Sequence, residues 1–307
     1  MKGKSSNMVS KLQLFTLLNM SEQAVRECLS GIVREAAQQA VVPSFKHLNG
    51  DIDVSFKSNN DIVTEADVDM QQRINDALNE IWPDIPVLGE EQAAAVQQAI
   101  LQTGSGAFWV LDPIDGTSNF AFGIPYFCTS LSLVYEHQVQ LGLVYDPIRD
   151  ECFFATRQGG ASLNGEILDS TALNVPAKLE NVMALVDFKR LSPVLATALA
   201  STPPYRSQRS FGASALDWCW IAANRCQLYL HGGQKLWDYS AGWLILKEAG
   251  GESSSFDGTP VFKPALASRN VLAASHPVLF KQWQQWLSPF VTSKTGQNSG
   301  VRIFDPG

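Results

Sequence analysis

The stretch Trp109–Phe120, WVLDPIDGTSNF, decides how the rest of the chain is read. The run Ala107–Leu111 (AFWVL) is apolar throughout and is expected to form a short buried strand. It delivers Asp112 at its C-terminal end. Pro113 stops it, Asp115 follows three residues later, and Gly116–Thr117 can open a helix. Strand ends and helix N-termini are where sheet proteins bind ligands, and the N–H groups exposed there attract phosphate. Gly116 has no Cβ, so a bulky anion can approach its backbone. A lone Asp-Gly pair is ordinarily a polar turn. Two aspartates flanking Pro-Ile straight after an apolar strand point instead to a ligand site.

Working outward, other acids stand at junctions between apolar elements. Asp61 and Asp67 lie in DIVTEAD, Glu90 and Glu91 in LGEE, and Asp238 opens WDYSAGWLILKEAGG. Each alone reads as a turn or helix cap. Together they imply convergence, and like charges a few ångströms apart cannot all stay ionised without a compensating cation. No local Lys–Arg cluster supplies one, so a metal ion is the natural solution. The candidate ligands are all oxygens, and His47, His137, His231 and His276 are scattered without HExxH spacing. Oxygen ligation favours Mg²⁺ or Mn²⁺ over zinc or copper. There is no GxxxxGK[ST], no GxSxG and no GxGxxG after a strand. The spacing DxxDGT also differs from the DxDGT of haloacid-dehalogenase phosphatases, whose nucleophile–acid pair needs one residue fewer.

Composition sets the class. A 307-residue chain with 45% hydrophobic and 17% charged residues is globular, as one large domain or two fused halves. Lys and Arg number 23 against 30 Asp and Glu, a net charge of −7, which leaves no basic footprint for nucleic acid. No apolar stretch reaches the roughly 20 residues of a membrane span. Leu12–Leu18 is too short for a signal peptide and lacks a small-residue cleavage site. Five dispersed cysteines without a CxxC suit reduced thiols in the cytoplasm.

The expected organisation is a loose leader over 1–19, a strand-rich half over 20–165, an alternating α/β half over 166–290 and a polar tail over 291–307. Helices are expected from Ser21 to Pro43, over 68–81 and within 91–103. A meander follows, with strands at 127–135, 139–145 and 151–155. Beyond the Asn164–Gly165 turn come helices near 192–200 and 213–224, a strand at 227–231, a helix over 238–249, a strand at 271–274 and a helix over 277–287.

These motifs resemble the inositol monophosphatase family, Mg²⁺-dependent, lithium-sensitive phosphatases related to fructose-1,6-bisphosphatase. The match rests on KSNNDIVTEAD (57–67), GEE (89–91), WVLDPIDGTSNF (109–120), GGASLNG (159–165), RSFGASA (209–215) and WDYSAGWLILKEAGG (237–251), in the family's order over about 20–290. The resemblance implies a layered α/β/α/β/α sandwich, assembled as a homodimer. It implies that Glu90, Asp112 and the Ile114 carbonyl hold a first Mg²⁺, that Asp112, Asp115 and Asp238 hold a second, and that a third, weaker ion sits near Glu90. Asp61 and Thr117 would orient the attacking water, and the N–H groups of Gly116 and Thr117 would cradle the phosphate. Asp115, Ser214 and His231 would line the substrate. His231 stands where inositol-specific members carry an acidic residue. The implied activity is hydrolysis of inositol monophosphate or a similar sugar or polyol phosphate, by in-line attack of a metal-activated water. Two alternatives stay open. One is a nucleotide 3′-phosphatase acting on adenosine 3′,5′-bisphosphate, with Lys189, Arg190 or Arg206 near the base. The other is a regulatory, protein-binding role, because some bacterial members are tied to RNA-polymerase regulation.

Overall fold

The computed structural model describes residues 13–46, 54–57, 61–102, 106–171 and 178–291. Helix α1, Glu22–Ala36, starts where Ser21 accepts the Ala24 N–H. It does not end at Pro43. A π turn, Ala37–Val41, gives way to a further helical stretch, Val42–Lys46, and the Val42 N–H bonds to the Ala37 carbonyl. Pro43 has no N–H to offer, and the π turn loosens the helix where the proline ring would press on the turn before it.

Residues 13–18, expected within a loose leader, are helical. Leu14 and Leu18, four residues apart on one face, are buried, and the Trp82 indole donates to the Leu18 carbonyl at 3.0 Å. Residues 1–12 and 292–307, where the rest of the leader and the tail were expected, lie outside the described residues.

Strands β1 (Val54–Lys57) and β2 (Asp61–Thr64) form an antiparallel pair. Helix α2, Glu65–Ile81, follows β2 and buries Met70, Ile74 and Leu78 at helical spacing. A seven-stranded sheet comes next. It runs in chain order through β3 (Val87–Gly89), β4 (Phe108–Asp115), β5 (Cys128–Tyr135), β6 (Gln138–Asp146), β7 (Glu151–Thr156), β8 (Gly160–Leu163) and β9 (Glu166–Leu168). Helix α3 (Ala94–Leu101) joins β3 to β4, which pair in parallel; the rest is an antiparallel meander. The expected turn between β5 and β6 is tight, with Glu136 and His137 both at positive φ, as a twist-matched hairpin requires. Helix α4, Thr117–Ala121, caps the end of β4, and β2 packs against it.

The second half builds a five-stranded sheet in the order β11 (Ser207–Arg209), β10 (Met183–Asp187), β12 (Leu228–Gln234), β14 (Arg269–Ala274), β13 (Glu252–Ser254). Its helices are α5 (Pro193–Ser201), α6 (Ser214–Ala222), α7 (Leu236–Glu248) and α8 (Pro277–Val291). The sequence reading has no strand at β10, because five residues of MALVD are too short to show a period.

Side-chain alternation sets the layers. Trp109, Leu111, Leu131, Leu133, Leu141 and Leu143 face α1 and α2. Val110, Val134, Val139 and Val144 face α6 and α7, which also meet Tyr229, Val271 and Ala273 of the five-stranded sheet. On that sheet's outer face Val186, Leu230 and Leu272 pack with Leu195 of α5 and Trp283 of α8. The result is the expected α/β/α/β/α sandwich. Between the sheets α7 lies close to β5 and β6, where Ser240 and Ala241 are small. Ser130 donates to the Trp237 carbonyl, the Ser132 and Ser240 hydroxyls are 2.7 Å apart, and a Cβ on Gly142 would stand 2.7 Å from the Ala241 carbonyl oxygen. No helix among the described residues is long and apolar enough to cross a membrane.

Candidate active site

Three chain ends meet at one edge of the seven-stranded sheet. The first is the end of β4. The strand continues through Pro113 to Asp115, beyond the stop expected at Leu111, but its register with β5 shifts between Asp112 and Asp115. A bulge of this kind re-aims side chains and ends pairing, and Thr129 holds the Pro113 carbonyl within it at 2.9 Å. Gly116 follows at φ +91°, left-handed, with the Tyr126 carbonyl 3.2 Å from where a Cβ would sit. The second end is β3. It pairs Gly89 with Leu111, so Glu90 emerges beside Asp112, and the Glu90 N–H bonds to the Leu111 carbonyl at 3.1 Å. The third is the start of α7. Asp238 accepts the Lys235 N–H at 2.8 Å and so caps the helix from its own first turn.

Glu90, Asp112, Ile114, Asp115, Gly116, Thr117, Ser214, His231 and Asp238 all line a single cavity of about 280 Å³. Asp61 opens β2, whose backbone lies against α4; its side chain lies outside the described residues.

Electrostatics dominate this cavity. Burial pushes the Asp112 carboxyl well up from its ordinary range, and the charges of Glu90, Asp115, Asp238 and Asp67 push it further. Asp112 is 2% exposed, and its Oδ1 is buried without a hydrogen-bond partner. Asp115 is pushed up to about 7, first by burial and then by Asp217 and Glu90, against the pull of the Ala215 and Ser214 N–H groups. Burial, Asp115 and Glu90 raise Asp238 in the same way, opposed by the Lys235 N–H and Arg190.

An orphaned buried carboxylate oxygen, acids that raise one another and an all-oxygen donor set fit a hard divalent cation. Among the described residues no three His, Cys, Asp or Glu side chains close into a ready cage. Facing carboxylates repel, and Asp115 and Asp238 each turn an oxygen to a backbone N–H.

Other placements differ from the sequence reading. His231 is buried and both ring nitrogens are engaged: Nδ1 accepts the Gly233 N–H at 3.0 Å, and Nε2 lies 3.1 Å from Asp187 Oδ2. Both ring nitrogens thus have protein partners, while the ring borders the cavity. Ser214 starts α6 and lines the cavity. Asp67, which shares a motif with Asp61 but had no assigned role, is buried; its Oδ1 lies 3.2 Å from Thr117 Oγ1, which is also 2.9 Å from the Ile114 carbonyl. Asp187 and Asp217 are further lining acids that sequence reasoning passed over. Asp187 ends an apolar run, the signal that singled out Asp112. Asp217 sits inside a helix and gives no such signal.

The model of the inositol monophosphatase family matches residues 20–288. The chain belongs to the inositol monophosphatase family. It is similar to the Nus factor SuhB of Haemophilus influenzae, 33% identical over 270 residues, covering 86% of this chain and 92% of that protein. Among solved structures it resembles the extragenic suppressor protein SuhB of Bartonella henselae (27% identity, 86% and 98% of the two chains, TM-score 0.74). It also resembles the Staphylococcus aureus inositol monophosphatase-II in forms bound to inositol monophosphate and to 2′AMP. Identity is 25% in both, with TM-scores of 0.72 and 0.73; 88% and 89% of this chain and 96% of each partner are covered. Family membership supports a phosphatase, and the acidic cavity lies within the matched span.

Proposed function

We propose that the protein is a Mg²⁺-dependent phosphomonoesterase that hydrolyses inositol monophosphate or a similar sugar or polyol phosphate. The observation that carries this reading is the buried, unpartnered Asp112 Oδ1 among mutually repelling carboxylates. Glu90, Asp112 and the Ile114 carbonyl would hold one ion, Asp112, Asp115 and Asp238 a second, and Glu90 would border a third; Mn²⁺ suits the same oxygens. When bound, these ions neutralise the phosphate charge and activate water for in-line attack.

The chain's own residues supply position. The Gly116 and Thr117 N–H groups would cradle the phosphate, and the left-handed Gly116, with no Cβ, would leave it room. Thr117 would orient the attacking water through its hydroxyl, which lies against Asp67, and the family resemblance implies that Asp61 shares in that orientation. Ser214 lines the cavity and would contact the alcohol. By analogy with the family the enzyme is a homodimer and lithium-sensitive. Its five free thiols fit a reducing compartment, the cytoplasm.

A second reading is a regulatory one, favoured by the Nus factor name of the H. influenzae relative. An Asp112→Asn variant separates the two, because a regulatory role that needs no turnover survives it.

The test is phosphate release from inositol, sugar and nucleotide monophosphates, adenosine 3′,5′-bisphosphate included, with and without Mg²⁺. Mg²⁺-dependent release led by a polyol phosphate supports the reading. Release led by the bisphosphate favours the nucleotide alternative, and no release from any ester refutes both.

A further inference from the structure

The wall of the cavity carries a carboxylate that the protein holds from behind. Asp187 ends β10, and its Cα partner in the neighbouring parallel strand is His231. Its Oδ2 lies 3.1 Å from His231 Nε2, and its Oδ1 accepts the Lys189 N–H at 2.7 Å. His231 Nδ1 accepts the Gly233 N–H, so the ring hydrogen is fixed on Nε2 and aimed at Asp187. The imidazole is 3% exposed, whereas the Asp187 side chain is 24% exposed within the cavity wall.

Two glycines explain why the loop stays in place. A Cβ on Gly232 would overlap the Arg190 carbonyl, so only glycine lets β12 pass beneath this loop. Arg190 in turn donates to the Gly233 carbonyl at 3.0 Å. The run His231–Gly232–Gly233 thus clamps 187–190 against the sheet.

An ionised carboxylate has about four acceptor positions, and the two donors named here use two. Among the described residues no further hydrogen bond to Asp187 is seen. Burial alone would raise the Asp187 carboxyl, but the hydrogen bond from His231, the Lys189 N–H and Arg190 hold the group below its ordinary value. An acceptor that stays charged and is fixed from behind binds O–H groups well and repels anions.

We propose that Asp187 is the hydroxyl-accepting, specificity-determining residue of the pocket, that it selects phosphate esters of polyhydroxylated alcohols, and that His231 is the positioning residue that holds it. This rests on the phosphomonoesterase reading above.

The test compares kcat and KM for inositol monophosphate and for phenyl phosphate, an ester with no free hydroxyl, both with Mg²⁺. The readout is the ratio of the two kcat/KM values, which does not change with the fraction of protein that is folded. Asp187→Asn lowers the ratio about tenfold, chiefly through KM for the polyol ester, the worth of one hydrogen bond to a charged group. His231→Ala lowers it similarly. His231→Gln, which can keep an N–H aimed at Asp187, restores most of the loss, and the Asp187→Asn, His231→Ala double variant falls no further than either single one. A ratio within about twofold of wild type in both single variants overturns the proposal while leaving the phosphatase reading intact. A wild-type chain that hydrolyses neither ester overturns both.

Discussion

Asp115 Oδ2 accepts the Ala215 backbone N–H at 2.6 Å, tying the bulged end of β4 to the first turn of α6 across 100 residues of sequence. The bond satisfies a helix N-terminus with a carboxylate that also belongs to the acidic cluster. Asp115→Asn keeps an acceptor there but removes a charge that its neighbours resist. We expect phosphate release to fall by about a hundredfold or more, while the thermal midpoint in EDTA stays level or rises by a few degrees. A melting scan beside an activity assay checks this, and a variant that unfolds outright contradicts it.

Thr117 Oγ1 is within reach of two acceptors, Asp67 Oδ1 and the Ile114 carbonyl; its one hydrogen goes to either, which leaves its lone pairs to accept from a water. Thr117→Ala is expected to lower kcat by about a hundredfold, the range for a residue that orients a proton transfer, with KM changed by about twofold at most. Steady-state kinetics with inositol monophosphate decide it. An unchanged kcat removes Thr117 from the mechanism.

Gly142 lies where β6 meets α7, with the Ala241 carbonyl oxygen 2.7 Å and the Ala241 Cα 3.0 Å from an added Cβ. Both are backbone atoms, so neither can swing aside. Gly142→Ala should destabilise the fold by about 2 kcal/mol, an ordinary overpacking penalty. Urea denaturation measures it, and a midpoint equal to wild type refutes the packing account.

Much of this was legible in the sequence. The apolar strand before Asp112, the helix start at Asp238 and the small residues of WDYSAGW each carry a local signal, and the structure brings those segments to one cavity. Other features have no local signal. The turn at Ala37–Val41 that lets α1 pass Pro43 depends on a register change that no propensity marks. The burial of Leu14 and Leu18 depends on Trp82, more than sixty residues away. The engagement of His231 by Asp187 needs β10 beside β12, and strand order is a tertiary fact. His231 therefore read as a substrate contact, whereas its nitrogens serve the protein.

Asp217 is buried in the cavity wall and receives the Tyr126 hydroxyl at 2.8 Å. Burial, opposed by that hydrogen bond and aided by Asp187, pushes its carboxyl from 3.8 to about 8. A folded value above the unfolded one means that the neutral acid is favoured in the fold. Its contribution is complete below about pH 4, declines as pH rises and is gone above about pH 8. Asp217→Asn keeps an acceptor for Tyr126 and removes the titration. Its melting temperature should fall less than that of wild type between pH 5 and pH 9, and parallel profiles would count against the assignment.

The central claim is that the acids around Asp112 form a divalent-cation site. Its most direct measurement is a Mg²⁺ binding isotherm at pH 7.5 for the wild-type chain and for Asp112→Asn. The account predicts saturable binding by wild type that is lost or weakened by about a hundredfold in the variant. Equal isotherms for the two, or no binding to wild type, would contradict it.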